Sequence, residues 1–142
     1  MQLTLTQLLG LSGIDVEDYS ELEDKMILQV EVHSTKSVCP RCLQESSHFH
    51  QNHWHFVRDL NLFDKSVALK VNRRQFKCHH CQKPFSEELD FMRSRRRYTD
   101  RFAEMIAKQV IHSNTHNVRL QYDLTDEEVW SMVQYISKKS QC

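Results

Sequence analysis

The sequence predicts an α+β chain in which a small, β-rich, cysteine-bearing part precedes a helical part. Apolar and polar residues alternate in stretches between residues 26 and 76, the period of a half-buried strand. From Phe102 onward apolar residues recur every three or four positions, the period of a helix with one buried face. Two C-x-x-C pairs, Cys39/Cys42 and Cys78/Cys81, bracket the later strand-like stretches. These patterns divide the 142 residues into a β-rich unit, 1–90, and a basic linker with a helical module, 91–142.

Each element follows from its residues. Residues 2–11, with Leu3, Leu5, Leu8, Leu9 and Leu11, predict a short helix that Gly13 ends. Residues 26–33 place Ile27, Leu28, Val30 and Val32 in a β-rich run. Residues 48–60 alternate Phe49 with histidines and continue through Trp54, Phe56 and Val57, a second strand. Asn61–Lys65 reads as a turn, and residues 66–76 carry Val67, Leu69 and Val71 at period two. Phe49–Leu60 against Ser66–Phe76 then makes a hairpin between the cysteine pairs. In the helical part, Phe102, Ile106 and Val110 share one helix face, and His112–Asn114 breaks it. Residues 115–122 predict a second short helix. Thr125 and Glu128 have the spacing of a capping box, and Val129, Met132, Val133 and Ile136 form the apolar face of a third helix.

Composition excludes some function classes. Mean hydropathy is −0.62 and no apolar run approaches the ~20 residues that cross a bilayer. The N-terminus has no basic region followed by a cleavage site, so a cytoplasmic location is expected. Nineteen basic and nineteen acidic residues cancel, which taken alone argues against a polyanion as partner. The cancellation is uneven, however. Residues 1–35 have a net charge of −6, residues 36–101 of +7 and residues 102–142 of −1. The middle third is a basic segment between acidic flanks.

In a reducing compartment two C-x-x-C pairs read as metal knuckles rather than disulfides. Each knuckle offers two thiolates from one tight turn, and two knuckles complete a tetrahedral site. The 35 residues between Cys42 and Cys78 are too many for a compact finger and fit a zinc ribbon. Four unrelated thiols are the plain alternative. A redox C-x-x-C would need a helix N-terminus, which neither pair precedes. A site closed by Cys39, Cys42, Cys78 and Cys81 has no open position, so one structural zinc ion is expected. His48, His50, His53, His55, His79 and His80 lie close by. They could replace a cysteine or hold a second metal, or form a solvated polar face that touches phosphate. Cys142 reads as a free, mobile thiol.

Arg73, Arg74 and Lys77 border the second knuckle, and Arg93, Arg95, Arg96, Arg97 and Arg101 precede the first long helix. Arginine's planar fork suits phosphate and guanine edges, which makes these eight the expected DNA contacts. A solvated basic linker, or arginines paired with Glu87, Glu88 and Asp90, is the alternative. The last two helices, joined at Asp123–Leu124, have the layout of a helix-turn-helix. Its last helix would open on Asp126-Glu127-Glu128, a start that repels phosphate. A small packing or dimerisation bundle would show the same pattern.

The run CPRC…FVRDL…ALKVNRRQFKCHHCQKPFSEEL…RRRYTDRFAEMI resembles the N-terminal region of bacterial insertion-sequence transposases of the ISL-three family, over about residues 1–140. The resemblance implies a zinc-binding domain with Cys39, Cys42, Cys78 and Cys81 as ligands, followed by a helix-turn-helix. It implies binding of double-stranded DNA at the element's inverted-repeat ends, with Arg73, Arg74 and Arg95–Arg97 near the DNA. Family members continue into a DDE catalytic domain that this sequence does not reach, so a DNA-binding protein without transposase activity is expected. The alternative function is a protein–protein adaptor, with or without a homodimer, whose acidic flanks make the contacts or mimic DNA. No membrane partner is expected, and two glycines leave no phosphate loop for an enzyme.

Overall fold

The computed structural model describes residues 4–93 and 96–140. Its order is α1 (Leu5–Leu9), β1 (Ile14–Glu21), β2 (Lys25–Val32), β3 (Ser37–Val38), β4 (Glu45–Ser46), β5 (Phe49–Gln51), β6 (Trp54–Leu62), β7 (Lys65–Asn72), β8 (Gln75–Lys77), β9 (Pro84–Ser86), α2 (Asp100–His112), α3 (Thr115–Tyr122) and α4 (Asp126–Ser140). The mixed class expected from the sequence is the class observed. No described helix is long and apolar enough to cross a membrane.

The main sheet has the order β1-β2-β7-β6. Two antiparallel hairpins, β1–β2 and β6–β7, meet along a parallel β2–β7 pairing. That pairing sets Met26 beside Val67, Leu28 beside Leu69 and Val30 beside Val71, so the period-two residues of both strands reach one face. All six are buried, and Leu9, Ile14, Val57, Phe91 and Met92 complete the cluster. Burying each large side chain contributes about 1.5–3 kcal/mol. Phe91 and Met92, expected in a linker, are part of this core.

Several expectations change in detail. Gly10, at φ +68°, caps α1, so the helix stops before Gly13. Strand β1 has no counterpart in the sequence reading: its acidic residues conceal the period, and pairing with β2 holds it as an edge strand. The strand expected over 48–60 is two strands, broken at Asn52–His53, where the Asn72 side chain accepts from the His53 N–H. The turn expected over 61–65 shrinks to Phe63–Asp64, both with positive φ, as a two-residue hairpin loop demands.

A ribbon departs from the sheet. Strands β3–β4 pair, as do β5–β8–β9, around a core of Cys39, Phe76, Cys78 and Phe85. The helices follow the expected breaks. Thr99 caps α2, Asn114 caps α3, and Asp123 ends α3 in a left-handed conformation. Phe102, Ile106, Val118, Val129 and Met132 form their shared core. The capping box before α4 is formed: the Thr125 N–H donates to Glu128 Oε1 and the Glu128 N–H to Thr125 Oγ1, both at 3.1 Å. Thr125→Ala is expected to destabilise the chain by about 1 kcal/mol, measured as a lower urea midpoint at unchanged slope.

Candidate metal centre and nucleic-acid interface

The two cysteine pairs sit in turns of the same construction. The N–H of the residue after each second cysteine, Leu43 or Gln82, donates to the carbonyl of the first, both at 2.9 Å. Leu43 and Gln82 both have φ near +60° (63° and 61°), which reverses the chain. The N–H of Cys39 then donates to the Gln44 carbonyl, and that of Cys78 to the Lys83 carbonyl. Each turn thereby projects two sulfurs inward.

The Sγ atoms of Cys39, Cys42, Cys78 and Cys81 lie within 4.8 Å of one another. Tetrahedral zinc with bonds of about 2.3 Å separates its sulfurs by about 3.8 Å, so this cage fits the ion. Cys42 and Cys78 approach to 3.4 Å, too far for an S–S bond, and all four are free thiols. The cage also frustrates ionisation. At Cys39 burial opposes the thiolate, but the N–H groups of Cys42 and Arg41 and the neighbouring thiols outweigh it and lower the pKa to about 6. At Cys42 the Gln44 N–H favours the thiolate, while burial and the other three sulfurs raise the pKa to about 12. A thiolate already in the cage opposes a second one, and a divalent cation removes that opposition.

The eight expected DNA contacts fall into distinct environments. Arg74 is committed to the fold: its guanidinium pairs with buried Glu87 at 2.8 and 3.0 Å. Arg101 is likewise bound to buried Asp59, with Nε at 2.8 Å, and donates to the Leu9 carbonyl. Arg73 donates Nε–H to the Glu87 carbonyl. Arg96 reaches Ser131 Oγ at 3.2 Å and lies over the Tyr135 ring, which Arg93 approaches at 6.0 Å. Lys77 is half-buried on β8, and Arg97 is exposed. Arg95 and Cys142 lie outside the described residues.

Four of the histidines meet in two pairs, and no second cage forms among the described residues. His48 meets His79 edge-on at 5.3 Å, and His53 meets His55 at 4.3 Å. Among the described residues, the four cysteines are the cluster with metal-binding spacing.

The residues not singled out from the sequence are the acidic anchor Asp59 and the cation Arg58. The VRDL phrase holds both kinds. Asp59, 1% exposed, accepts from Thr99 Oγ1 and from Arg101. Arg58 lies over the Phe102 ring at 4.9 Å and donates to the Tyr122 carbonyl at 2.7 Å. Its backbone bonds Arg97 and Thr99, extending the sheet edge to the segment entering α2. VRDL is thus the joint between sheet and helices. The signal available beforehand was the apolar setting of both charges, which requires partners elsewhere in the chain.

Comparison with known proteins agrees with this architecture. Residues 35–81 match the model for the zinc-finger of transposase IS204/IS1001/IS1096/IS1165, and residues 87–137 match the helix-turn-helix domain of transposase family ISL3. The chain is 30% identical over 132 residues to the transposase for insertion sequence element IS1001 of Bordetella parapertussis. That alignment covers 91% of the chain and 32% of the relative, so the chain spans about a third of the relative's length. No solved structure matches. With both domain models matched in chain order, the chain carries the zinc ribbon and the helix-turn-helix of ISL3-family transposases.

Proposed function

We propose that the chain is a zinc-dependent, double-stranded DNA-binding unit that recognises the inverted-repeat ends of an insertion sequence. The observation that carries this reading is the cysteine cage beside an arginine-rich segment that leads into a capped three-helix module. Cys39, Cys42, Cys78 and Cys81 hold one structural zinc ion. Arg73, Lys77, Arg93, Arg95, Arg96 and Arg97 meet DNA, whereas Arg74 and Arg101 brace the fold. Residues 1–90 and 91–142 act as two units, with Phe91 and Met92 anchoring the second to the first. The working compartment is the cytoplasm.

Zinc-loaded protein is expected to shift an inverted-repeat duplex in a gel at low salt and to lose it steeply as salt rises, because bound arginines release condensed counterions. Absence of a shift at low salt would overturn this reading.

A second reading draws on α4. Asp126, Glu127 and Glu128 crowd its exposed first turn, and Trp130 is 61% exposed beside them. That face suits a protein partner better than phosphate. Charge reversal at Arg95–Arg97 separates the two readings, since it should abolish a DNA function and spare an adaptor.

A further inference from the structure

Folding leaves a cluster of positive charge in one cleft. The cleft, about 530 Å³, is bounded by the first knuckle, the start of β6, the β7–β8 junction and the segment entering α2. Arg41, Arg73, Arg96 and Arg97 line it together with His53 and His55, and Glu88 is its one lining carboxylate. Among the described residues, none of these four arginines has a carboxylate within ion-pair distance. Their partners are neutral. Arg41 donates to the Lys83 and Pro84 carbonyls at 3.2 Å, Arg73 to the Glu87 carbonyl and Arg96 to the Ser131 hydroxyl. Carbonyls and hydroxyls orient a guanidinium without neutralising it. Arg74 and Arg101, outside the cleft, have received buried carboxylates instead.

We infer that this cleft seats the phosphate backbone of duplex DNA where it passes from the ribbon to the helical module, with Arg41, His53 and His55 as contacts beside Arg73, Arg96 and Arg97. The inference rests on the DNA-binding reading and names the surface that serves it. Charges drawn from ribbon, sheet and helix approach suit a polyanion that touches all three, since one small anion is satisfied by a single guanidinium fork.

The histidines add a readable property. Burial first, and then the charges of His53, Arg73 and Arg97, lower the pKa of the His55 imidazole below its usual value in the free protein. An adjacent phosphate favours the imidazolium, so affinity should rise as pH falls.

The test uses the full zinc-loaded chain and a mixed-sequence duplex, with fluorescence anisotropy over a salt series. The double variant R41Q/R97Q is expected to bind about tenfold more weakly, with the slope of log affinity against log salt shallower by about two. Wild-type affinity is expected to rise between about pH 7.5 and about pH 6, and H53Q/H55Q to lose most of that rise. If wild type binds but R41Q/R97Q keeps its affinity and slope, the cleft is not the backbone seat and the DNA reading stands. If wild type does not bind at low salt, the DNA reading itself fails. Should R41Q/R97Q lose its native circular dichroism, the histidine pair decides: an undiminished pH response in H53Q/H55Q overturns the inference.

Discussion

Chelation of the metal is expected to unfold the ribbon while the four-stranded sheet and the three-helix core persist. The ribbon's own hydrophobic core is two phenylalanines, Phe76 and Phe85, packed on the cysteines. Their burial supplies about 2–3 kcal/mol each. Ordering the short strands β3, β4, β5, β8 and β9 costs about 1–2 kcal/mol per residue, which two rings do not offset. Structural zinc in comparable small modules contributes about 10–16 kcal/mol at neutral pH, enough to reverse the balance. The other two cores contain no cysteine and do not depend on the ion. Amide hydrogen exchange should therefore show protection lost over residues 37–51 and 75–86 and retained in β2, β7 and α2. Cys78→Ser should reproduce the loss. DNA affinity should fall with it, because Arg41 sits in the first knuckle and donates to the Lys83 carbonyl at the end of the second. Unchanged ribbon protection after complete metal removal would show that the cage has no structural role.

Asp59→Ala is expected to destabilise the chain by about 3–5 kcal/mol, a large part of a small domain's stability. The carboxylate is buried and serves two donors, the Thr99 hydroxyl at 2.7 Å and the Arg101 guanidinium. Thr99 is the N-cap of α2, so one side chain holds both the helix start and its attachment to β6. Alanine would leave the guanidinium without its partner and the hydroxyl without its acceptor. Arg101 remains about one-third exposed and can recruit water, which places the cost toward the lower end of the range. Asp59→Asn retains an acceptor for Thr99 and should cost about half as much. Urea unfolding followed by far-ultraviolet circular dichroism measures both. A loss below about 1 kcal/mol for the alanine variant would mean that the buried pair does not hold the two units together.

What could be seen in the sequence was local. The knuckles were legible because a two-residue spacing between cysteines specifies a turn. The helices were legible because Phe102, Ile106, Val129 and Met132 repeat at the helical period and Thr125–Glu128 mark a start. Strand β1 was hidden because an edge strand needs little apolar sequence when β2 supplies its hydrogen bonds. The break at Asn52–His53 was hidden because it depends on the side chain of Asn72, on another strand.

The candidate interface was legible as a composition and not as a surface. Arg73 and Arg74 are neighbours in one basic run, yet Arg74 is a strut on Glu87 and Arg73 lines the cleft. Arg97 and Arg101 differ in the same way, the second being held by Asp59. Arg41 and His55 stood apart from the basic run and join it only in space. The sequence by itself determined the cysteine cage's members, the helical periods and the excess of positive charge between residues 36 and 101, since each is a property of neighbours along the chain. The tertiary structure alone decided which of those charges are neutralised and which remain open. That depends on carboxylates many positions away, brought within hydrogen-bond reach only by the packing of α2 against β6 and the pairing of β8 with β9.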